Sequence, residues 1–277
     1  MQKTIKDVKN FWENNPLFSG ESDFKVGSKE FFEDHKKTYY NDVFAGNFDD
    51  SLFIPKNLEK ATVLDLGCGV GFWTIEIQQR RKCKAFYSCD ITQKAIDITK
   101  KRLEIYGPTA NLSIQNAETL SYENGFFDHV NCQGVIHHTP NTDKAIQEIA
   151  RILIKGGTAS ISVYYRNFLL RNWPNFSYIG KLISKLGGGL KGRGRESILN
   201  IKNIDEITRL YDGENNPIGK SYTKIKIMQM LTPFFEIERS FCFFFPARAL
   251  PIKIPKPFHR FLAKNMGFML HLNLIKK

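Results

Sequence analysis

Residues 61–71 read Ala-Thr-Val-Leu-Asp-Leu-Gly-Cys-Gly-Val-Gly, a short apolar run that ends in three alternate glycines. The residues from Phe72 onward are typical of a helix, so the stretch predicts a strand, a tight turn and a helix start. Glycine permits positive φ in such a turn and lets a ligand approach the backbone closely. The free N–H groups of the new helix favour an anionic group, so we expect a ligand site at this turn.

The turn differs from the dinucleotide-binding fingerprint, which requires glycine at position 72, where this chain has Phe72. Asp65, two residues before the first glycine, suits a ligand that carries a positive charge. The second predicted strand ends at Asp90, whose carboxylate can accept hydrogen bonds from both ribose hydroxyls. The site therefore favours a ligand with a nucleoside, a carboxylate and a cation, and S-adenosylmethionine (AdoMet) has all three.

Five stretches together resemble the class I AdoMet-dependent methyltransferases: VLDLGCGVG, SCD, NAETL, FFDHVNCQGVIHHTP and EIARILIKGG. They are most similar to the small-molecule branch, the type 11 methyltransferases that resemble quinone-biosynthesis methyltransferases. The resemblance is specific over residues 61–165 and weaker on either side. It implies an α/β fold, a Rossmann-like three-layer sandwich with a mostly parallel seven-stranded sheet and an antiparallel last strand.

The alternation of predicted strands and helices over residues 61–165 also indicates a parallel sheet with helices on both faces. We predict four segments: a helical lid, an AdoMet-binding Rossmann-like core, a basic insertion that shapes the acceptor site, and the completion of the sheet. These segments are residues 1–60, 61–165, 166–221 and 222–277. Within the insertion, Gly187, Gly188, Gly189, Gly192 and Gly194 with interleaved lysines and arginines are typical of a mobile basic loop.

The composition of the 277 residues indicates a globular chain, since 42% of them are apolar. The charged first residues and the lack of a long apolar run predict neither a signal peptide nor a membrane-spanning helix. The five cysteines show no metal-ligand spacing, so we expect no metal and buried, reduced thiols in a cytoplasmic protein.

The positive charge of the chain is concentrated in two segments. Residues 166–195 contain seven Lys or Arg and no acid, and residues 246–266 contain five and no acid, which together account for the whole net charge of +12. In the expected topology both segments lie at the carboxyl ends of the strands, where ligands bind in open α/β sheets. We expect this charge to surround the active-site mouth and to steer an anionic partner, and a merely solvated surface is the alternative.

The resemblance implies which residues bind the cofactor. Asp90 holds the ribose, Ile91 packs on the adenine, and Gln133 faces the methionine moiety. Asn116 stands where similar enzymes have Asp, so it keeps hydrogen bonding to the adenine and loses the charge. The full predicted set is Asp65, Gly67, Cys68, Gly69, Asp90, Ile91, Asn116, Ala117, Glu118 and Gln133.

His137 and His138 follow strand 4, where the acceptor enters, and either one is a candidate general base because a His side chain has a pKa near ~6.5. A base is needed only if the nucleophile arrives protonated, and a structural role in capping the next helix is the alternative. The candidates for acceptor binding are Tyr39, Tyr40, Tyr164, Tyr165 and Arg166. Packing on the sheet explains some of these tyrosines equally well, since alternate strand residues face opposite ways.

We therefore expect a methyltransferase that acts on a small organic acceptor, anionic or amphiphilic, by direct in-line displacement, with S-adenosylhomocysteine as the product. The chain lacks the Asn/Asp-Pro-Pro motif of nucleic-acid amino-methyltransferases and has no Pro-Cys nucleophile. An RNA methyltransferase that uses the basic loops as a nucleic-acid track stays open, as does a non-catalytic AdoMet-binding protein. Residues 246–266 mix apolar and basic side chains, so contact with a membrane surface also stays open.

Overall fold

The computed structural model describes residues 3–190 and 198–277, with the side chain of residue 199 left out. Within them the strands are β1 Thr62–Leu66, β2 Ala85–Asp90, β3 Asn111–Ile114, β4 Phe127–Gln133, β5 Leu153–Tyr165, β6 Ser221–Tyr222, β7 Phe235–Phe243 and β8 Met269–Lys276. The α-helices are α1 Ile5–Asn14, α2 Lys29–Thr38, α3 Asp50–Phe53, α4 Phe72–Arg80, α5 Gln93–Tyr106, α6 Thr142–Ile152, α7 Phe168–Arg171, α8 Trp173–Lys185, α9 Ile204–Leu210, α10 Lys224–Leu231 and α11 Lys256–Met266.

One sheet organises the chain, with the strand order β3-β2-β1-β4-β5-β8-β7. The five strands β1 to β5 are parallel to one another, while β8 runs antiparallel between β5 and β7. This confirms the predicted mostly parallel sheet with an antiparallel last strand. The eighth strand is the two-residue β6, which pairs in parallel with the end of β5 and was too short to be predicted from the sequence.

Both faces of the sheet are covered, as the apolar strands require. On one face β1, β4, β5 and β8 pack with α6 and α10 into the largest apolar cluster. On the other face α4 contributes Phe72 and Trp73 to an aromatic cluster that also holds Phe44 and Phe53 from the N-terminal segment. The N-terminal segment therefore belongs to the packed body of the protein.

The sequence predicts a helix over residues 93–106 with Thr92 as its N-cap and Gly107-Pro108 as its stop, and α5 has these bounds. The hydroxyl of Thr92 accepts from the Ala95 N–H and caps α5, which ends at Gly107 in the left-handed region. The sequence predicts a helix over residues 142–154, whereas α6 ends at Ile152 because β5 starts at Leu153. Gly157 lies within β5, where a Cβ would be 2.9 Å from the Ile154 carbonyl oxygen and 3.1 Å from that of Asp128.

The basic insertion begins with two helices that the sequence did not predict, α7 and α8, over residues 168–171 and 173–185. Pro174 lies in the first turn of α8, where its missing N–H costs no hydrogen bond. The predicted glycine-rich loop lies partly outside the described residues, since Lys191, Arg193 and Arg195 are not described. Residues 256–266 also form a helix, because the last two of the four prolines in 246–266 lie at its start.

Among the described residues, no helix is both long enough and apolar enough to cross a membrane.

Candidate active site

The glycine turn after β1 is folded as the sequence predicts, with Gly67 and Gly69 at φ values of +77° and +54°. The backbone N–H groups of Gly67 and Cys68 donate to the carbonyl oxygen of Cys89 in β2, at 2.7 and 2.9 Å. A Cβ atom on residue 67 would lie 2.2 Å from the Val135 side chain, so only glycine fits there. The turn is thereby fixed against β2, and its open side faces a cleft at the carboxyl ends of β1, β2 and β4.

Asp90, the last residue of β2, presents its carboxylate to this cleft. One carboxylate oxygen accepts from the N–H and the hydroxyl of Thr92, at 3.0 and 2.9 Å, and the other accepts from the Gly69 N–H at 3.1 Å. Burial raises the pKa of Asp90, and the hydrogen bonds from Thr92 and Gly69 oppose that rise. A carboxylate has about four acceptor positions, so these bonds leave capacity toward the cleft.

Asp65 lies beneath the cleft and does not line it, contrary to the expectation that it faces a cationic group of the ligand. It is only 1% exposed, and its two oxygens accept from the Thr74 hydroxyl at 2.6 Å and the Asn131 amide at 2.8 Å. Burial raises the pKa of Asp65 to about 6, although both hydrogen bonds lower it. The Asn131 side-chain oxygen accepts from Gln133 at 3.0 Å, so Asp65 positions Gln133 in the cleft wall through Asn131.

The loop after β3 supplies another wall of the cleft. Asn116 and Ala117 line it together with Ile91. Glu118 turns away, because its carboxylate accepts from the Asn141 N–H at 2.6 Å, at the start of α6. The structure therefore places Glu118 outside the lining, and the contacts of the other three residues with adenine stay a prediction.

The N-terminal segment forms the outer wall of the cleft. The volume of the cleft is about 850 Å³ including its open mouth. The lining residues contributed by this segment are Ile5, Val8, Trp12, Pro16 and Leu17. The sequence analysis named none of them as site residues, since isolated apolar side chains in a short helix give no ligand signal.

A second chamber adjoins the cofactor cleft and shares part of its wall, at Trp12, Leu17, Gln133, Gly134 and His138. Its volume is about 950 Å³ including open space. Seven of its other seventeen lining residues are Phe, Tyr or Trp: Phe18, Tyr39, Trp73, Tyr164, Tyr211, Phe243 and Phe244. A ligand in the cleft and a second molecule in the chamber can therefore meet at the shared wall.

A cluster of three polar side chains lies at the junction of the two cavities. The Nδ1 atom of His138 donates to the carbonyl oxygen of Ile218 at 2.7 Å, since a carbonyl can only accept. The Nε2 atom of His138 then lies 3.4 Å from the Asp212 carboxylate, which also accepts from the Tyr164 hydroxyl at 2.5 Å. The bond to Ile218 fixes the tautomer of neutral His138 with its lone pair on Nε2, beside a carboxylate that would stabilise the imidazolium.

Two further histidines line the chamber and are fully buried, His35 and His137. Burial lowers the pKa of both well below the usual value, so both are neutral at pH 7. Neither ring nitrogen of either residue has a hydrogen-bond partner within the described residues. A buried polar group without a partner is costly, and these four ring nitrogens have almost no accessible surface.

The charged groups at the outer end of the chamber are paired with each other. Arg248, about one third exposed, lies 2.7 Å from the Glu21 carboxylate and 3.1 Å from the Asp42 carboxylate. Burial raises the pKa of Asp42 in spite of Arg248. Both acids come from the N-terminal segment, so this contact joins that segment to the C-terminal part of the chain.

The structure brings two of the five predicted acceptor residues, Tyr39 and Tyr164, to the chamber. Tyr40 instead donates to the Glu76 carboxylate at 2.8 Å, because successive residues of a helical turn point in different directions. Tyr165 packs against the apolar cluster on the other face of the sheet, as strand alternation requires. Arg166 pairs with Asp205 and does not line the chamber.

Asp212, Arg248 and His35 line the chamber, although the sequence analysis did not select them. Asp212 follows α9 and meets His138 across 74 positions of sequence, so no local pattern connects them. Arg248 belongs to one of the two predicted basic segments, and that charge pattern was the sequence feature that could have identified it as a site residue. The strands β5 and β7 both end on the side of the chamber, so each basic segment leaves the sheet there, as the expected topology requires.

The residues that line the cleft have the chemical groups that AdoMet binding requires. Asp90 supplies a ribose acceptor, the apolar side chains of Ile91 and Ala95 supply a surface for a flat base, and Gly69 leaves the backbone open to a close approach. Among the three glycines of the turn, Gly69 has the most space, since the nearest atom to a Cβ there is 3.7 Å away on Leu17.

Residues 64–161 match a family model described as a methyltransferase domain. A ubiquinone biosynthesis O-methyltransferase from Coxiella burnetii is 27% identical over 106 residues, which cover 38% of this chain and 44% of that protein. This chain thus spans less than half the length of the curated relatives that it matches first.

Two solved structures have the same fold. The PH0226 protein from Pyrococcus horikoshii OT3 has a TM-score of 0.57 and 16% identity, covering 97% of this chain and 99% of its own. A SAM-dependent methyltransferase from Methanosarcina mazei has a TM-score of 0.54 and 20% identity, covering 79% and 93%.

These findings confirm the predicted fold class and the predicted cofactor, AdoMet. Residues 64–161 of this chain therefore match the methyltransferase-domain family, and the fold around them is that of the class I methyltransferases.

Proposed function

We propose that this protein transfers the methyl group of AdoMet to a small organic acceptor that binds in the aromatic chamber. The observation that carries the proposal is the shared wall of the two cavities at Gln133, Gly134 and His138. A cofactor in one cavity and an acceptor in the other approach each other there, and such positioning supplies much of the rate of a displacement reaction. When bound, AdoMet supplies a methyl group on a sulfonium leaving group.

The His138 cluster serves as the general base for an acceptor that arrives protonated. The lone pair on Nε2 takes the proton of the nucleophile as the methyl group is transferred, and the Asp212 carboxylate stabilises the imidazolium that results. His137 is a weaker base, because burial holds its pKa well below the usual value. Its unpartnered ring nitrogens are better suited to hydrogen bonding with the acceptor.

We infer that the acceptor is amphiphilic rather than anionic, the other possibility raised by the sequence. Arg248 is the one Lys or Arg among the described lining residues, and Glu21 and Asp42 already pair with it. The rest of the wall combines aromatic faces with the polar side chains of His35, Thr38, His137, Ser162 and Asp212. A molecule with an aromatic or apolar body and hydrogen-bonding substituents fits such a wall better than an anion does.

The roles that we propose for two segments of the chain agree with an acceptor in the chamber. Residues 1–60 act as the lid, since α1 covers the cofactor cleft and Glu21 and Asp42 close the outer end of the chamber. The insertion 166–221 shapes the acceptor site through Tyr211 and Asp212. The cytoplasmic location expected from the cysteines stays a prediction.

Label transfer tests the proposed function. The protein is incubated with methyl-labelled AdoMet and a cell extract, which is then separated into small-molecule, lipid and nucleic-acid fractions. Label in the small-molecule or lipid fraction is the expected result, and its loss in Asp212→Asn links it to the chamber.

Two other outcomes identify the alternatives. Label in RNA alone would replace the proposal with RNA methylation. Binding of AdoMet in calorimetry, with no label in any fraction, would favour a non-catalytic AdoMet-binding protein.

A further inference from the structure

The helix α8 presents an apolar face to solvent. Tyr178, Leu182 and Leu186, at its outer side and end, each expose more than half of their surface. Lys181 and Lys185 lie beside them and are exposed as well. Soluble proteins seldom expose large apolar side chains in groups, and such groups mark interaction sites.

A second exposed apolar group lies in residues 250–262. Ile252, Phe258 and Phe261 also expose more than half of their surface, and the rings of the two phenylalanines stack with their centres 6.4 Å apart. Lys253 and Arg260 are exposed neighbours of these side chains. The two groups thus have the same composition, large apolar residues interleaved with cations.

The two segments are neighbours in the fold. The Gly189 N–H, after the end of α8, donates to the carbonyl oxygen of Ala249 at 2.8 Å. At the other end, the Asn167 side chain donates to the carbonyl oxygens of Met266 and Gly267 at 2.7 and 3.0 Å. Between the segments lies a groove with an almost wholly apolar lining, to which both contribute.

The groove leads toward the acceptor chamber. Tyr211 lines both cavities, and its ring packs on Phe268 at 4.9 Å between ring centres. Phe168 and Ile179 line the groove and are themselves exposed, so the apolar surface continues from the outside into the groove.

Charge identifies the occupant of this surface. Residues 166–195 and 246–266 contain no Asp or Glu, while together they carry the whole net positive charge of the chain. An apolar protein partner would explain the exposed side chains without requiring this strict exclusion of acids. A bilayer with anionic headgroups explains both features, because apolar side chains enter the headgroup–acyl boundary while cations pair with the headgroups.

We propose that α8 and residues 250–262 form a docking surface for an anionic phospholipid bilayer, with the apolar groove opening at the membrane. The surface is defined by Tyr178, Lys181, Leu182, Lys185, Leu186, Ile252, Lys253, Phe258, Arg260 and Phe261. The docking does not depend on the proposed methyl transfer, although it offers an amphiphilic acceptor a direct route from the bilayer to the chamber.

Vesicle sedimentation of the full chain tests the proposal. The probes are vesicles of phosphatidylcholine alone and of phosphatidylcholine mixed with phosphatidylglycerol. We expect binding to the anionic vesicles that weakens as salt screens the charges. Each cation near an anionic surface strengthens binding by about fivefold, so the double charge reversal Lys181→Glu/Lys185→Glu should weaken it by at least ~25-fold.

A second pair of variants removes the apolar contribution. Leu182→Glu/Leu186→Glu and, separately, Phe258→Glu/Phe261→Glu should each abolish measurable binding, and both pairs alter exposed side chains. The matched control is Ile225→Glu on α10, because Ile225 is 72% exposed and also stands between two lysines. Thermal unfolding and AdoMet binding verify that each variant is folded.

The proposal is overturned if the protein binds neither kind of vesicle, or if the control Ile225→Glu weakens vesicle binding as much as the α8 variants do. Tight binding to a single-stranded RNA oligonucleotide that the same α8 variants abolish, without vesicle binding, would assign the surface to nucleic acid. Failure of vesicle binding with intact methyl transfer would refute the docking surface alone.

Discussion

Replacement of Asp90 by Ala tests the cofactor site most directly, because this side chain is fixed on three sides. Thr92 and Gly69 hold both carboxylate oxygens at the end of β2, so the group needs no reorganisation to accept from a ligand. The substitution removes the carboxylate together with the acceptor of the Gly69 and Thr92 N–H groups.

The expected loss follows from the hydrogen bonds that a ribose makes. A hydrogen bond to a charged group contributes about 1.5–3 kcal/mol, and the two ribose hydroxyls make two of them. Water partly solvates the carboxylate before binding, so we take the lower part of this range for each. A total of about 3 kcal/mol corresponds to a dissociation constant that is ~150-fold larger.

Calorimetry with S-adenosylhomocysteine, and then with AdoMet, measures this change. The matched control is Glu118→Gln, since Glu118 was also predicted to bind the cofactor but holds the Asn141 N–H outside the cleft. The control should bind both ligands like the original protein. A folded Asp90→Ala variant with an unchanged dissociation constant would refute the ribose assignment.

Other perturbations follow from the same contacts. The pKa of Asp65 is about 6 in the folded protein and near ~3.9 in the unfolded chain. Its contribution to the free energy of unfolding therefore falls by about 3 kcal/mol as the pH rises from about 4 to 6. Chemical denaturation should show this fall in the original protein and not in Asp65→Asn. Gly67→Ala should destabilise the fold by at least ~2 kcal/mol, because the new Cβ meets Val135. In Gly107→Ala the new Cβ meets no atom within 4 Å, so this variant should be destabilised only by the ~1 kcal/mol that left-handed backbone costs a residue with a Cβ. Equal losses of stability in thermal unfolding would contradict this. Asp212→Asn should lower the turnover rate by about 10²-fold or more with unchanged binding of S-adenosylhomocysteine, and an unchanged rate with the labelled acceptor would exclude the proposed base.

The part of the fold that the sequence predicts well is set by local physics. The turn at Gly67 and Gly69 needs positive φ, and the cap at Thr92 and the stop at Gly107 are each decided by one residue. The position of Asp90 follows from the length of its strand. These features depend on neighbours in sequence, so the residue pattern carries them.

The remaining features depend on contacts that the pattern does not contain. Asp65 turns inward because Thr74 and Asn131 supply partners for a buried carboxylate, and nothing near it in sequence indicates that choice. Asp212 reaches His138 only after α9 folds over the chamber. The helix α8 was not predicted, because no side-chain cap marks its start and Gly180 interrupts its helix-forming residues.

The position of β8 has a consequence for synthesis of the protein. This strand follows all the others in the sequence, yet it occupies an interior place between β5 and β7. While the chain emerges from the ribosome, β5 exposes the edge that β8 will cover, and β7 has nothing to pair with. The chamber wall at Tyr164 and Met269 is therefore assembled only after translation of residues 269–276, and until then the nascent chain presents an open apolar edge that a chaperone can bind.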